Sequence, residues 1–94
     1  MNRNDASEAV VCIDNEGNEA SLQVWKIYKT VRDEDARSDG LLRVIDESGE
    51  DYLFPEENFA RIELPGEVKR SFDRAIRKQR QAASRVSSAT RRLR

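Results

Sequence analysis

The sequence predicts a mainly β fold, in which a small five-stranded barrel is followed by a C-terminal amphipathic α-helix. Short apolar runs separated by turn residues recur as far as Leu64, and the apolar spacing becomes helical after Pro65. The charge divides at the same place. Residues 1–66 contain 16 acidic and 7 basic side chains, whereas residues 67–94 contain 2 acidic and 10 basic. Such an asymmetry predicts two parts with different surroundings.

The clearest element is a hairpin over residues 41–54, where two apolar runs flank the polar segment 46–51. Gly49 lies near the middle of that segment and can adopt the positive φ that a tight hairpin turn requires. The second strand should end at Pro55, because proline lacks a backbone N–H. Apolar residues within 59–62 then predict a short return strand.

Two further strands are predicted before the hairpin. Residues 1–8 are expected to be a disordered lead-in, and the apolar run 9–13 predicts a buried strand. Turn residues 14–18 lead to residues 22–31, whose β-branched and aromatic content favours a strand, although the spacing also permits a helix. Residues 32–40 are interpreted as a charged loop. A closed arrangement of five strands would leave few exposed edges.

The C-terminal part has the apolar period of a helix. The apolar residues that fall near one face are Val68, Phe72, Ile76 and Ala83. Pro65 or Gly66 is expected to start this helix. The predicted organisation is therefore a barrel over 9–64, a basic amphipathic helix over 65–84 and a flexible basic tail over 85–94.

A resemblance supports the barrel. The run Tyr-Leu-Phe-Pro-Glu-Glu-Asn-Phe at 52–59 resembles the end of SH3 domains, where a strand leads through Phe-Pro and a short 3₁₀ turn into a last strand. The segment 10–64, with 43–53 as its recognisable core, also resembles a group of small bacterial proteins with an SH3-like barrel. The resemblance supports an SH3-like fold more than any particular activity. The positions that match the motif are Pro55, Asn58 and Phe59.

The sequence also departs from true SH3 domains. It has no Ala-Leu-Tyr-Asp-Tyr segment near its start and no pair of adjacent tryptophans, and it carries an extra residue between Pro55 and Asn58. The resemblance therefore does not extend to the groove that binds proline-rich peptides.

Catalysis has little support in the sequence. There is no histidine, so the usual general base near neutral pH is missing. No glycine-rich phosphate loop, nucleophile elbow or metal-ligand spacing is present, and Cys12 lies within an apolar run, where a thiol is usually inert. We expect a protein that is not an enzyme and has no cofactor and no metal.

Composition also gives an expectation about location. Cys12 is the single cysteine, so no intrachain disulfide can form, and no apolar run approaches the roughly 20 residues of a membrane span. The start of the sequence is polar and lacks an apolar signal core. A cytoplasmic location is the expectation.

One candidate surface for a partner lies on the hairpin. Four carboxylates converge on its tip and predict either a site for a cation or basic partner or an ordinary solvated turn. Most aromatic side chains are expected in the core, with two tyrosines the most suited to keep a hydroxyl at the surface. The candidate partner-binding residues are Tyr28, Tyr52, Asp46, Glu47, Glu50 and Asp51.

The basic helix is the second candidate surface. Its candidate phosphate-binding residues are Arg70, Arg74, Arg77, Lys78 and Arg80. Such a helix could bind nucleic acid, acidic proteins or anionic membranes, or dock on its own acidic barrel. The sequence leaves these alternatives open. It favours a small binding or regulatory module that acts on a protein partner over a nucleic-acid accessory protein, with weak self-association as a third hypothesis.

Overall fold

The computed structural model describes the backbone of residues 8–92 and the side chains of residues 8–83. It confirms five strands followed by a C-terminal helix. The strands are β1 (Ala9–Cys12), β2 (Ile27–Val31), β3 (Leu41–Ile45), β4 (Asp51–Pro55) and β5 (Phe59–Ile62), and the helices are α1 (Glu34–Ser38) and α2 (Gly66–Arg92), with a 3₁₀ turn at Glu56–Asn58. The predicted lead-in before residue 8 lies outside the described residues.

The strands form one antiparallel sheet in the order β4-β3-β2-β1-β5. In a flat sheet, strands spaced about 4.8 Å apart would hold β4 and β5 roughly 19 Å from each other. The rings of Phe54 on β4 and Phe59 on β5 instead lie 6.2 Å apart in an edge-to-face arrangement. The sheet therefore bends around a common core, although within residues 8–83 no ladder closes β4 onto β5 and the barrel stays open.

The core contains side chains from all five strands. Alternate residues of β1, β2 and β3 point inward, as the period of two in a strand requires. The buried cluster consists of Val10, Cys12, Leu22, Tyr28, Leu42, Val44, Phe54 and Phe59. Burial raises the pKa of the Cys12 thiol, which suits an inert packing role.

The predicted strand over 22–31 is only half right. β2 begins at Ile27, and the chain forms turns before it. Trp25 has a left-handed backbone with φ of 72°, which no extended strand accommodates. Its N–H donates to the Cys12 carbonyl over 2.7 Å, and the Cys12 N–H donates to the Lys26 carbonyl over 3.0 Å. These two bonds carry the pairing of β1 past the end of the regular ladder.

The predicted loop over 32–40 contains the short helix α1. The Asp33 carboxylate accepts from the Ala36 N–H over 3.0 Å and pairs with Arg43 on β3. Both contacts hold the pKa of Asp33 below its usual value. Sequence periodicity missed α1 because a single turn is too short to show one.

Helix α2 begins at Gly66, as predicted, and its backbone continues to Arg92, past the predicted end at Ser84. The predicted flexible tail over 85–94 lies outside the described side chains and stays a prediction. No helix in the described part of the chain is both long enough and apolar enough to cross a membrane.

Candidate functional site

The tip of the β3–β4 hairpin is built around a buried carboxylate. Asp46 is only 3% exposed, and its Oδ1 accepts from the Ser48 N–H over 2.8 Å and from the Ser48 hydroxyl over 2.6 Å. The expectation that Asp46 lies on an open tip was wrong, because the side chain folds back to bond the turn's own backbone. Asp46 shapes the turn and does not present its carboxylate to a partner.

Tyr28 is also buried, with 3% exposure. The expectation that its hydroxyl lies at the surface was therefore wrong. That hydroxyl donates to Glu47 and accepts from the Gln23 N–H over 2.7 Å. Burial and the bond to Glu47 raise the pKa of Tyr28. Burial opposes ionisation of Glu47, but bonds from Lys26 and Tyr28 outweigh it and lower the pKa of Glu47. The Glu47 carboxylate is therefore occupied by contacts within the protein, with Tyr28 and Lys26.

The remaining hairpin candidates differ in exposure. Tyr52 is half exposed, as expected, and its hydroxyl donates to Glu50 over 3.1 Å, which raises the pKa of Tyr52. Asp51 is paired within the chain, since it lies 3.5 Å from the Arg43 guanidinium and 3.2 Å from that of Arg80. The acidic tip is thus largely neutralised by the protein itself.

Helix α2 crosses this turn in direct contact. The Gln79 amide donates to the Glu47 carbonyl over 3.1 Å, and Arg80 donates to the Gly49 carbonyl over 3.4 Å. Gly49 has φ of 87°, and a Cβ added to it would lie 2.9 Å from the Gln79 carbonyl and 3.1 Å from the Ala83 Cβ. Only a residue without a side chain fits this approach.

A second contact anchors the helix nearer its start. Lys29 on β2 pairs with Asp73 over 3.0 Å, and Lys69 pairs with the other Asp73 oxygen over 3.1 Å. Burial opposes ionisation of Asp73, but the two ammonium groups outweigh it and lower the pKa of Asp73. The sequence left open whether the basic helix docks on its own acidic sheet domain or binds an outside partner. The structure shows that one face of the helix docks on the sheet domain.

The opposite side of α2 carries what we call the outer basic face, which consists of Arg70, Arg74, Arg77 and Lys78. All four side chains are exposed. Among the described side chains, none of the four forms an ion pair or a hydrogen bond. Of the five candidate phosphate-binding residues, Arg80 is thus committed to the hairpin, and the other four face solvent.

A further surface was not singled out from the sequence. Trp25 is 74% exposed, and Ile13 and Val24 are 42% and 39% exposed. These three residues, the Trp25 patch, adjoin one another because the Trp25 N–H bonds the Cys12 carbonyl. The left-handed backbone of Trp25 costs about 1 kcal/mol or more for a residue with a Cβ. The available signal was a lone tryptophan close to turn residues.

Exposed carboxylates lie on the chain segments next to the Trp25 patch. The turn after Ile13 supplies some of them, and the 3₁₀ turn supplies the rest, since the Ile13 N–H donates to the Asn58 carbonyl over 2.9 Å. This acidic rim consists of Asp14, Glu16, Glu19, Glu56 and Glu57. Within residues 8–83, no lysine or arginine forms an ion pair with any of them.

A metal centre has no candidate in the described part of the chain. No group of three or more His, Cys, Asp or Glu side chains there could hold a metal ion. Comparisons with protein-family models, curated proteins and solved structures found no match to this chain. The Trp25 patch and the outer basic face are the two exposed candidate surfaces for a partner.

Proposed function

We propose that this protein is a non-enzymatic interaction module whose Trp25 patch binds a basic segment of another protein through an apolar anchor. The observation that carries the proposal is the exposure of Trp25 on a fixed, left-handed backbone. Tryptophan contributes more binding energy to interfaces than most residues, because it buries a large rigid surface. Backbone strain of this kind concentrates at ligand-binding positions.

The charge around the patch selects the partner. The acidic rim attracts lysine and arginine, and like charge disfavours acidic partners. Antiparallel pairing places the end of β1, the start of β2 and the hairpin tip at one end of the sheet. Tyr52 and Glu50 therefore stay candidate contacts beside the patch.

We also propose that the SH3-like resemblance is real. It is supported by the small five-stranded antiparallel sheet and by the 3₁₀ turn at Glu56–Asn58, directly before β5, where the resemblance implies one. A fold does not by itself imply a function, so this resemblance supports the scaffold, and the proposed activity depends on the Trp25 patch. A cytoplasmic location stays an expectation.

Replacing Trp25 with glycine should abolish partner binding without loss of stability. Glycine adopts φ of 72° without steric cost, so the free energy of unfolding should stay equal or rise by about 0.5–1 kcal/mol. The probes are fluorescein-labelled basic peptides that each carry one Leu, Phe or Pro anchor, measured by anisotropy. Trp25 is the single tryptophan, so its own emission should also shift to the blue when the wild type binds.

A matched control is Leu53→Ala, which truncates an exposed apolar residue on β4, outside the patch. It should leave peptide affinity within about twofold, whereas Trp25→Gly should weaken it at least about tenfold. Equal affinity of Trp25→Gly and wild type would rule out the patch as the binding surface.

A second candidate function is nucleic-acid binding, favoured by the outer basic face. Its four cations have no acidic partner among the described residues and turn away from the sheet. With a rise of about 1.5 Å per residue, Arg70 to Lys78 spans about 12 Å. Charges on such a stripe could follow a phosphate backbone and read no sequence.

The double variant Arg74→Gln with Lys78→Gln tests this second function. If each residue contacts a phosphate, the magnitude of the slope of log affinity against log salt should fall by about 1.4 for single strands and about 1.8 for duplexes. The measurement is anisotropy of fluorescent single- and double-stranded oligonucleotides at several salt concentrations.

The matched control, Arg32→Gln with Arg37→Gln, removes two exposed charges from the α1 region and should leave the salt slope unchanged. Equal effects of the two double variants would show that any binding is non-specific attraction to the whole protein.

A further inference from the structure

A cleft of about 580 Å³ lies between the first turns of α2 and the end of the sheet where β1 begins and β5 finishes. Its volume is within the range of small-molecule sites in proteins, about 300–1,000 Å³. Helix α2 contacts the sheet domain at Lys29 and at the hairpin turn, and the cleft opens beside the first of these contacts. Its apolar walls are formed by Ala9, Ile62, Leu64 and Phe72.

The polar lining of the cleft consists of three cations, Lys29, Arg61 and Lys69, and three carboxylates, Glu8, Glu63 and Asp73. Lys29 and Lys69 each donate to one oxygen of Asp73, so both oxygens of that carboxylate are already occupied. Arg61 donates to Glu8 through Nε at 3.0 Å. An ammonium has three N–H donors and a guanidinium has five, so Lys29 and Arg61 carry more donors than Asp73 and Glu8 accept in these contacts.

We propose that this cleft binds a small amphipathic anion, with an apolar body and a carboxylate or phosphate head. The body would lie against Phe72, Ile62 and Leu64, and the head would accept hydrogen bonds from Lys29 and Arg61. Charge-assisted bonds of this kind are shorter and stronger than neutral ones. A cationic head would find Asp73 and Glu8 already paired with Lys29, Lys69 and Arg61, which leaves Glu63 as its acceptor.

The cleft is separate from the Trp25 patch. Ala9 begins β1 and Ile62 ends β5, whereas Trp25 adjoins the opposite end of β1. The proposal therefore stands whether or not the patch binds a protein.

The test is a titration of the full-length protein with octanoate and with octyl phosphate, followed by amide chemical shifts. Residues 61–73 should shift in a saturable manner, while the Trp25 indole signal should not move. From butanoate to octanoate, affinity should rise by about fourfold per methylene. The tighter of the two probes identifies the preferred head group.

Lys29→Gln should weaken octanoate binding by about tenfold, and Arg37→Gln, an exposed cation outside the cleft, should not change it. Because Lys29→Gln also breaks the pair with Asp73, Leu64→Gln serves as a second variant. Leu64 follows β5 and precedes α2, and its replacement should flatten the dependence on chain length.

Two results would overturn the proposal. One is octyltrimethylammonium binding as tightly as octanoate, and the other is the absence of saturable shifts in residues 61–73.

Discussion

Gly49→Ala should destabilise the protein by about 3 kcal/mol and displace α2 from the hairpin turn. Two costs add at this position. A left-handed backbone costs about 1–2 kcal/mol for a residue with a Cβ, and forcing an extra methyl into a close contact costs about 1–3 kcal/mol. At Gly49 the new Cβ would lie 2.9 Å from the Gln79 carbonyl, which belongs to the helix backbone and cannot rotate away. Urea unfolding measures the loss.

Gly40→Ala separates the two costs. Gly40 has φ of 76°, close to that of Gly49, yet nothing lies within 4 Å of a Cβ added to it. Gly40→Ala should therefore lower the free energy of unfolding only by the backbone cost, about 1 kcal/mol. Hydrogen exchange gives a second measurement. Amides near Gln79 should exchange faster than in the wild type in Gly49→Ala, and at the wild-type rate in Gly40→Ala. Equal losses in the two variants would show that α2 does not contact the turn in solution.

The parts of the fold that the sequence predicted are those with a local signature. The β3–β4 hairpin consists of two apolar runs that flank a polar segment, in which Gly49 has the expected positive φ. Helix α2 shows a period of 3.6 in its apolar residues, and β1 is a short apolar run. Each of these signals lies within a window of about 18 residues or fewer, so no knowledge of distant contacts was needed.

The exposure of the candidate residues was harder to predict because it depends on distant contacts. Tyr28 is buried because its hydroxyl meets Glu47, which lies 19 positions further along the chain. Asp51 and Arg80 neutralise each other only once the helix has docked. Trp25 was assigned to a strand, where alternation favours the core for aromatic residues. A left-handed residue breaks that alternation, since side-chain direction depends on register.

Leu22→Ala should destabilise the protein by about 3 kcal/mol, within the range of about 2–5 kcal/mol for deleting a buried leucine side chain. Leu22 is fully buried although it lies in the turns before β2. Two bonds hold its backbone in place, one from the Asn15 amide to the Leu22 carbonyl at 2.9 Å and one from the Glu47 N–H to the Ser21 carbonyl at 3.0 Å. A segment fixed in this way cannot collapse into the cavity that alanine leaves, so the loss should be large.

Val24→Ala is the control within the same segment. Val24 is exposed, so its truncation should change the free energy of unfolding by about 0.5 kcal/mol or less, while it removes apolar area from the Trp25 patch. The two variants therefore separate stability from binding. Leu22→Ala should lower the urea midpoint of unfolding, and Val24→Ala should lower the affinity for basic peptides. Equal losses of stability would instead support a continuous strand over 22–31. In that strand Leu22 and Val24 would share one face, and Trp25 would lie on the other.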